Sequence, residues 1–318
     1  MSIDDVVVLA TAPGHLLRRA QQIHTDSWAR LVPCVTGPQY AVLVVVEGWG
    51  GIDQKTAGEL ASLDKSTIAG VVARLAHSGW LERAPDVNDR RRRLLRLTEY
   101  ARTRLPELGE ATHAVQDELL VSLKPEVRCR FVDQLATVAR VAELPVHEKS
   151  RSVRDLHLAR TPGYLLRRAQ QCHTSLWAAA VPDLTGPQYA VLSALSVHRV
   201  ATYAEIGSFA SLDSSNTLDV VRRISARGWL EPVPSIVDRR SRPVALTASA
   251  RTALRLLGPA VESVQTRILE PLDRSEHDTF VSDLQAVARI YDQRASKRTA
   301  PRSAVRSRWE VLRAPPTV

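Results

Sequence analysis

The chain is written twice. The segment GHLLRRAQQIHTDSWARLVPCVTGPQYAVL, beginning at Gly14, returns as GYLLRRAQQCHTSLWAAAVPDLTGPQYAVL from Gly163. The offset of 149 residues holds without a gap at Asp64/Asp213, Gly79/Gly228, Asp89/Asp238, Thr98/Thr247 and Phe131/Phe280. Two copies this long exclude a solenoid, because each can bury a core of its own. The repeat predicts a dimer fused into one polypeptide, with pseudo-twofold symmetry replacing true twofold symmetry. Independent domains on a string are the other reading. The stretch between the copies, Pro145–Arg160, is charged and polar but lacks the Gly/Ser composition of a loose linker. The expected organisation is a first repeat over 1–148, a second over 149–295 and a basic, disordered tail over 296–318.

Charge sharpens this reading. The 318 residues carry 43 basic and 34 acidic side chains, a formal net charge of +9. Residues 1–149 are balanced, whereas 296–318 hold 6 basic residues against 1 acidic. Local Arg clusters and a basic end suit a polyanion better than a diffuse excess would. Three cysteines, Cys34, Cys129 and Cys172, make no disulfide framework, and no Cys/His run has metal-ligand spacing. No metal site and no cofactor are expected. Apolar runs such as Ala41–Val46 are too short to cross a bilayer, and MSIDDVVVLA does not read as a secretory signal. A cytoplasmic protein without membrane contact is the expectation. The chain has no GxGxxG, GKS/T loop, HExxH or GxSxG, so no enzymatic role is expected.

Each copy reads as helices around one hairpin. Leu17, Gln21, His24 and Trp28 share a face of a helical stretch over Leu16–Leu31. Thr36-Gly-Pro-Gln39 is a capping box that opens a helix through Tyr40–Val46. Asp53, with Thr202-x-x-Glu205 in the second copy, caps a short helix ending near Leu60 or Phe209. Asp64 and Asp213 cap the next helix, whose Ile68, Val71, Val72 and Leu75 keep helical spacing before Gly79 closes it. Two short helices joined at Ser62-Leu63 make a helix-turn-helix. Trp80–Arg83 can then pair with Leu94–Leu97 around the tip APDVNDRRRR. Long helical regions follow over Ala101–Ala142 and Ala250–Ala295, with breaks expected at Pro106, Pro125, Pro259 and Pro271. The expected class is mainly α with small β wings (α+β): two winged helix-turn-helix domains with a helical dimerisation region.

In Glu59–Thr98 and Ser208–Thr247, helix-turn-helix, hairpin and DRR before LRLT or VALT resemble the winged-helix regulators of the multiple antibiotic resistance regulator (MarR) family. The resemblance implies obligate dimers joined by terminal helices. It also implies repression of transcription and release of DNA when a small phenolic or aromatic acid binds between dimer helices and winged domain. Double-stranded DNA is thus the expected partner. A protein-contact scaffold or ligand-binding protein with little specific DNA binding is the alternative.

A recognition helix needs small or polar groups at its N-terminal end. Lys65, Ser66, Thr67, Ala69, Gly70, Ala73 and Arg74 fit in the first copy, with Ser and Thr able to donate to phosphates or base edges. Ser214, Ser215, Asn216, Leu218, Asp219, Arg222 and Arg223 take their place in the second. Asn can read adenine, Leu218 can touch a thymine methyl, and Asp219 is unfavourable near phosphates but can accept from cytosine N4. In the wings, Asn88, Arg90, Arg91 and Arg92, with Arg239, Arg240 and Arg242, are candidates for phosphate or minor-groove contact. A merely solvated helix face and basic turn is the plainer reading of both. Differences between the copies suggest an asymmetric operator.

The stripe Gln21/His24/Trp28, echoed by Gln170/His173/Trp177, can line a pocket for an aromatic acid, with Arg18 or Arg19 as carboxylate partner and Tyr40 and Tyr189 as further walls. Equally, the stripe can be an interface core in which imidazole and indole satisfy each other. No cysteine is repeated between the copies, so redox control is not expected. The Lys297–Arg313 tail can add salt-sensitive DNA affinity or be inert.

Overall fold

The computed structural model describes residues 9–86, 93–144, 157–234 and 243–295. The first copy contains α1 (Pro13–Leu31), α2 (Gly37–Trp49), α3 (Gln54–Leu60), α4 (Lys65–His77), β1 (Leu81–Pro85), β2 (Arg93–Leu97), α5 (Glu99–Leu119) and α6 (Pro125–Val138). The second contains α7 (Pro162–Ala180), α8 (Gly186–His198), β3 (Val200–Ala201), α9 (Tyr203–Ala210), α10 (Ser214–Ala226), β4 (Leu230–Pro232), β5 (Val244–Leu246), α11 (Ala248–Leu269) and α12 (His277–Ala295). The fold is mainly helical with small sheets, as the sequence indicates.

The helix starts follow local chemistry. Thr36 and Thr185 each accept from the backbone N–H three residues on, while Gln39 and Gln188 reach back to the cap, closing both capping boxes. Asp53, Asp64, Thr202 and Asp213 cap α3, α4, α9 and α10. α4 buries Ile68, Val71, Val72 and Leu75. Each such side chain contributes roughly 1.5–3 kcal/mol through removal from water. Gly79 closes the helix at φ +72°, where the chain turns into β1.

β1 and β2 pair antiparallel with Leu81 opposite Leu97. The second copy builds a three-stranded sheet in the order β3-β5-β4. The added strand was not expected. Its counterpart in the first copy is a single bridge between Ile52 and Leu95.

Two expected helix breaks do not occur. Pro106 lies inside α5 and Pro259 inside α11. Leu105 and Leu108 are buried on either side of Pro106. Burial of the flanking apolar stripe outweighs the one backbone hydrogen bond that proline removes. Pro125 begins α6, and α11 ends just before Pro271.

The chain divides into two compact units whose edges lie inside helices. One unit joins residues up to Arg19 to Gln170–Gln285, and the other joins Ala20–Ala169 to the chain from Ala286. The first turns of α1 thus belong to the unit built from the second copy. The first turns of α7 belong to the unit built from the first. The units of packing therefore differ from the units of repetition. The core of the α8–α11 unit gathers Trp177, Leu192, Ile206, Val221, Leu246 and Leu254.

Candidate nucleic-acid interface and ligand cavity

α4 and α10 each follow a short helix and a tight turn. At the turns, Ser62 and Ser211 both adopt φ +51°, and Leu63 and Leu212 donate their N–H groups to Gly58 and Gly207. The buried faces of α4 and α10 lock them to their units. Their outer faces carry the residues singled out in the sequence. Lys65, Ser66, Thr67, Ala69, Ala73 and Arg74 are exposed and Gly70 is half-exposed. Ser214, Ser215, Asn216, Leu218, Asp219, Arg222 and Arg223 are exposed as well. The wing residues Asn88, Arg90, Arg91 and Arg92, and Arg239, Arg240 and Arg242, lie outside the described residues.

The hydrogen bonds refine what these side chains can offer. Ser66 and Thr67 donate both backbone N–H and hydroxyl to the Asp64 carboxylate, with hydroxyl distances of 2.6 Å. These bonds hold the Asp64 carboxyl well below the usual range. The two hydroxyl hydrogens are therefore committed, and Ser66 and Thr67 have acceptor rather than donor capacity left to offer. Asn216 donates one amide hydrogen to Asp213 at 2.5 Å and keeps its carbonyl oxygen for other contacts. Asp219 is no isolated carboxylate either, because Arg223 sits 3.0 Å away one turn on. That pair reduces the repulsion expected from Asp219. In the first copy Gly70 stands at this position, and Arg74 lies across it, 3.3 Å from where a Cβ would project.

The second feature is a cavity of about 230 Å³ in the unit built on the second copy. His173, Trp177 and Tyr189 form its aromatic wall, and His15, Arg18 and Gln170 its polar one. The rings run in series, His173 to Trp177 at 5.8 Å and Trp177 to Tyr189 at 5.4 Å. Trp177 Nε1 donates to the Leu184 carbonyl at 2.5 Å, which fixes the indole. Arg18 donates to the carbonyls of Ala210 and Ser211 at 2.6 and 3.0 Å, and to His15 Nδ1 at 3.0 Å. All its acceptors are neutral, and burial pushes the guanidinium down to about 10. Burial, with Arg18 adding repulsion, pushes His173 down to about 4, and His15 falls to about 3 for the same reasons. Both imidazoles are neutral at pH 7. Gln170 Oε1 is buried on the cavity wall without a hydrogen-bond partner among the described residues.

A glycine keeps the cavity in shape. A Cβ on Gly14 would lie 1.9 Å from His173 Nε2. The Gly14 N–H donates to Gln265 Oε1 at 2.9 Å, and Gln265 Nε2 approaches His173 Nε2 at 3.4 Å. The other unit repeats the constellation with His24, Trp28 and Tyr40. There the rings are 5.5 Å apart at each step, and a Cβ on Gly163 would lie 1.9 Å from His24 Nε2. Its arginine is Arg167, which donates to the Ala61 carbonyl at 2.5 Å. Of the nineteen residues lining the cavity, sixteen recur at the offset of 149; Ala12, His15 and Leu184 become Thr161, Tyr164 and Val35.

The structure brings an arginine to each aromatic stripe from the start of the other copy's first helix. Arg18 meets His173, not the His24 on its own helix; Arg167, His15, Gln265 and Gln116 were missed. Gln116 accepts from Gly163 N–H at 2.8 Å, as Gln265 does from Gly14. Repetition of these glutamines and glycines in both copies was the available signal. Nothing local announces that the first turns of α1 and α7 pack with the other copy.

Among the described residues, no helix is long and apolar enough to cross a membrane, and no cluster of His, Cys, Asp and Glu is suited to a metal ion.

Comparison with known proteins places these features. The MarR family model matches residues 35–92. The transcriptional regulator HosA of Escherichia coli O157:H7 is 35% identical over 118 residues, covering 37% of this chain and 87% of HosA. The transcriptional repressor NicR of Pseudomonas putida is 31% identical over 116 residues, covering 36% of this chain and 73% of NicR. Among solved structures, the PcaV transcriptional regulator of Streptomyces coelicolor, in complex with its natural ligand, is 42% identical. That match covers 45% of this chain and all of PcaV, with a TM-score of 0.41. The family-model match, with HosA 35% identical over 87% of its own length, identifies the chain as a member of the MarR family of transcriptional regulators.

Proposed function

We propose that the chain is a ligand-responsive repressor acting as a covalent pseudo-dimer on one operator. Each sequence repeat, 1–148 and 149–295, supplies one winged head, and the basic tail over 296–318 adds salt-dependent affinity. α4 and α10 enter successive major grooves, and the Arg-rich wings reach phosphates or the minor groove. The heads differ where it matters for reading: Gly70 beside Arg74 in one, the Asp219–Arg223 pair in the other. An asymmetric operator follows, which a homodimer could not match to its own symmetry.

The effector is a hydroxylated aromatic acid. A dry cavity near 150 Å³ admits benzene, so about 230 Å³ takes one ring with a carboxylate and a small substituent. Arg18 supplies the carboxylate partner and Gln170 Oε1 an acceptor for a hydroxyl. One observation carries this reading. The arginine on the cavity wall is also the group that holds the carbonyls of Ala210 and Ser211, at the turn immediately before α10. A bound carboxylate competes for that guanidinium with a charge-assisted bond, roughly twice as strong as a neutral one. The turn then loses its tie and α10 its fixed orientation.

The test is an electrophoretic shift with DNA selected from random sequence, repeated across salt concentrations and with a panel of hydroxybenzoates. A specific preference that persists at high salt, and is lost on adding a panel member, is the expected result. Arg18→Ala should keep DNA binding but lose the response. Loss of all sequence preference at high salt would favour a scaffold role instead.

A further inference from the structure

We propose that one effector molecule saturates the chain: the cavity in the unit containing α10 takes it, and Tyr164 shuts the matching space in the unit containing α4. This rests on the reading of the cavity as an effector site, and it concerns how many such sites a chain offers.

The two units share their aromatic series but not the room in front of it. Where α8 begins, a Cβ built on Gly186 would meet nothing within 4 Å, so this part of the cavity wall stands off from the rings. Where α2 begins, a Cβ on Gly37 would already touch His24 Cε1 and Trp28 Cδ2 at 3.7 Å. An aromatic ligand lying between them would need contact distances of roughly 3.5–4.0 Å on each of its faces.

The substitutions between the copies act in the same direction. Ala12 and His15 line the cavity, and the larger Thr161 and Tyr164 stand at their places in the other unit. Val35 for Leu184 gives back no more than a carbon. Tyr164 is buried, and its ring lies 5.6 Å from the Arg167 guanidinium carbon, within cation–π range. Its phenol donates to the Leu60 carbonyl at 2.8 Å and accepts from Ser62 Oγ at 3.2 Å. The ring cannot swing aside without giving up both bonds. In the unit containing α10, the guanidinium of Arg18 instead meets the edge of the smaller His15 ring, at Nδ1.

The rim closes as well. Leu9 is half-buried and Pro182 exposed at the cavity, whereas their counterparts Leu158 and Pro33 are buried and half-buried. Behind them, His24 Nδ1 and Nε2 and Gln116 Nε2 are shut off from solvent, without hydrogen-bond partners among the described residues. A carboxylate bound for Arg167 has to displace the Tyr164 ring first. Tyr164 is thus a specificity-determining residue, and a chain with one site responds to effector without cooperativity.

Isothermal titration calorimetry of the full chain with ortho-, meta- and para-hydroxybenzoate counts the sites. Wild type should bind one equivalent and Arg18→Ala none. Tyr164→His, which installs the twin's residue, should raise the count to two, and His15→Tyr should abolish the single site. Two equivalents in the wild type would overturn the inference and leave the effector reading standing. One equivalent that survives Arg18→Ala would put the ligand elsewhere and overturn it too. A folded Tyr164→His that still binds one equivalent would take the shutting role from Tyr164. Heat from none of the three acids would remove the effector reading and this inference with it. If Tyr164→His fails to fold, the wild-type count read beside Arg18→Ala still decides the matter.

Discussion

Gly14→Ala offers the sharpest check on the packing around the cavity. The added methyl would sit 1.9 Å from His173 Nε2 and 2.3–2.4 Å from its neighbours Cε1 and Cδ2. Non-bonded heavy atoms rest at roughly 3.5–4.0 Å, so the ring must retreat by more than an ångström. His173 is only 6% exposed and leans on Trp177, so the ring can retreat only by repacking against the cavity that it lines. Overpacking of this kind costs roughly 1–3 kcal/mol. Alanine recovers up to about 1 kcal/mol of helix propensity over glycine. The expected net loss is therefore about 1–2 kcal/mol, or a few degrees in Tm at roughly 2–4 °C per kcal/mol for a unit of this size. Urea titration and calorimetry measure it directly. Gly186→Ala is the control, because no atom lies within 4 Å of its would-be Cβ; it should be neutral or slightly stabilising. His173→Ala should relieve most of the penalty in the Gly14→Ala background, giving a coupling energy near 1 kcal/mol. A Gly14→Ala protein as stable as Gly186→Ala would refute the close approach of imidazole and helix.

Three other outcomes follow from the same geometry. Burial is the first cause that holds His15, His24 and His173 down at about 3, 4 and 4, so the folded state disfavours their protonation. Their contribution is complete above the unfolded value near 6.5 and lost as pH falls toward the folded values, about 2 kcal/mol for each histidine at pH 5. Urea midpoints at pH 7 and pH 5 should differ accordingly, and equal midpoints would contradict the burial. Trp177→Phe removes the indole N–H bonded to the buried Leu184 carbonyl; a loss of about 1–3 kcal/mol is expected in the same titration. Asp64→Ala deprives the first turn of α4 of its acceptor; amide exchange at Ser66 and Thr67 should accelerate several-fold, and DNA affinity should fall in parallel.

Sequence alone determined what depends on near neighbours. The repeat at 149 residues, the Thr36/Gln39 and Thr185/Gln188 capping boxes, the Asp64 and Asp213 caps and the apolar stripe of α4 are all local patterns. Each is satisfied within a turn or two of chain, so the residues that create it are adjacent in the text. Tertiary structure decided the rest. Pro106 and Pro259 stay inside helices because distant apolar surface covers their flanks. Ser66 and Thr67 are left with acceptor capacity because their hydroxyls donate to Asp64, a competition invisible until the cap geometry exists. Above all, Arg18 serves His173 rather than His24, since burial of the first turns of α1 and α7, which read PGHLLRR and PGYLLRR, is a long-range choice between two similar copies. The similarity of these helix starts hides that choice from the sequence, and only the packing of one copy's helix start with the other copy's rings reveals it.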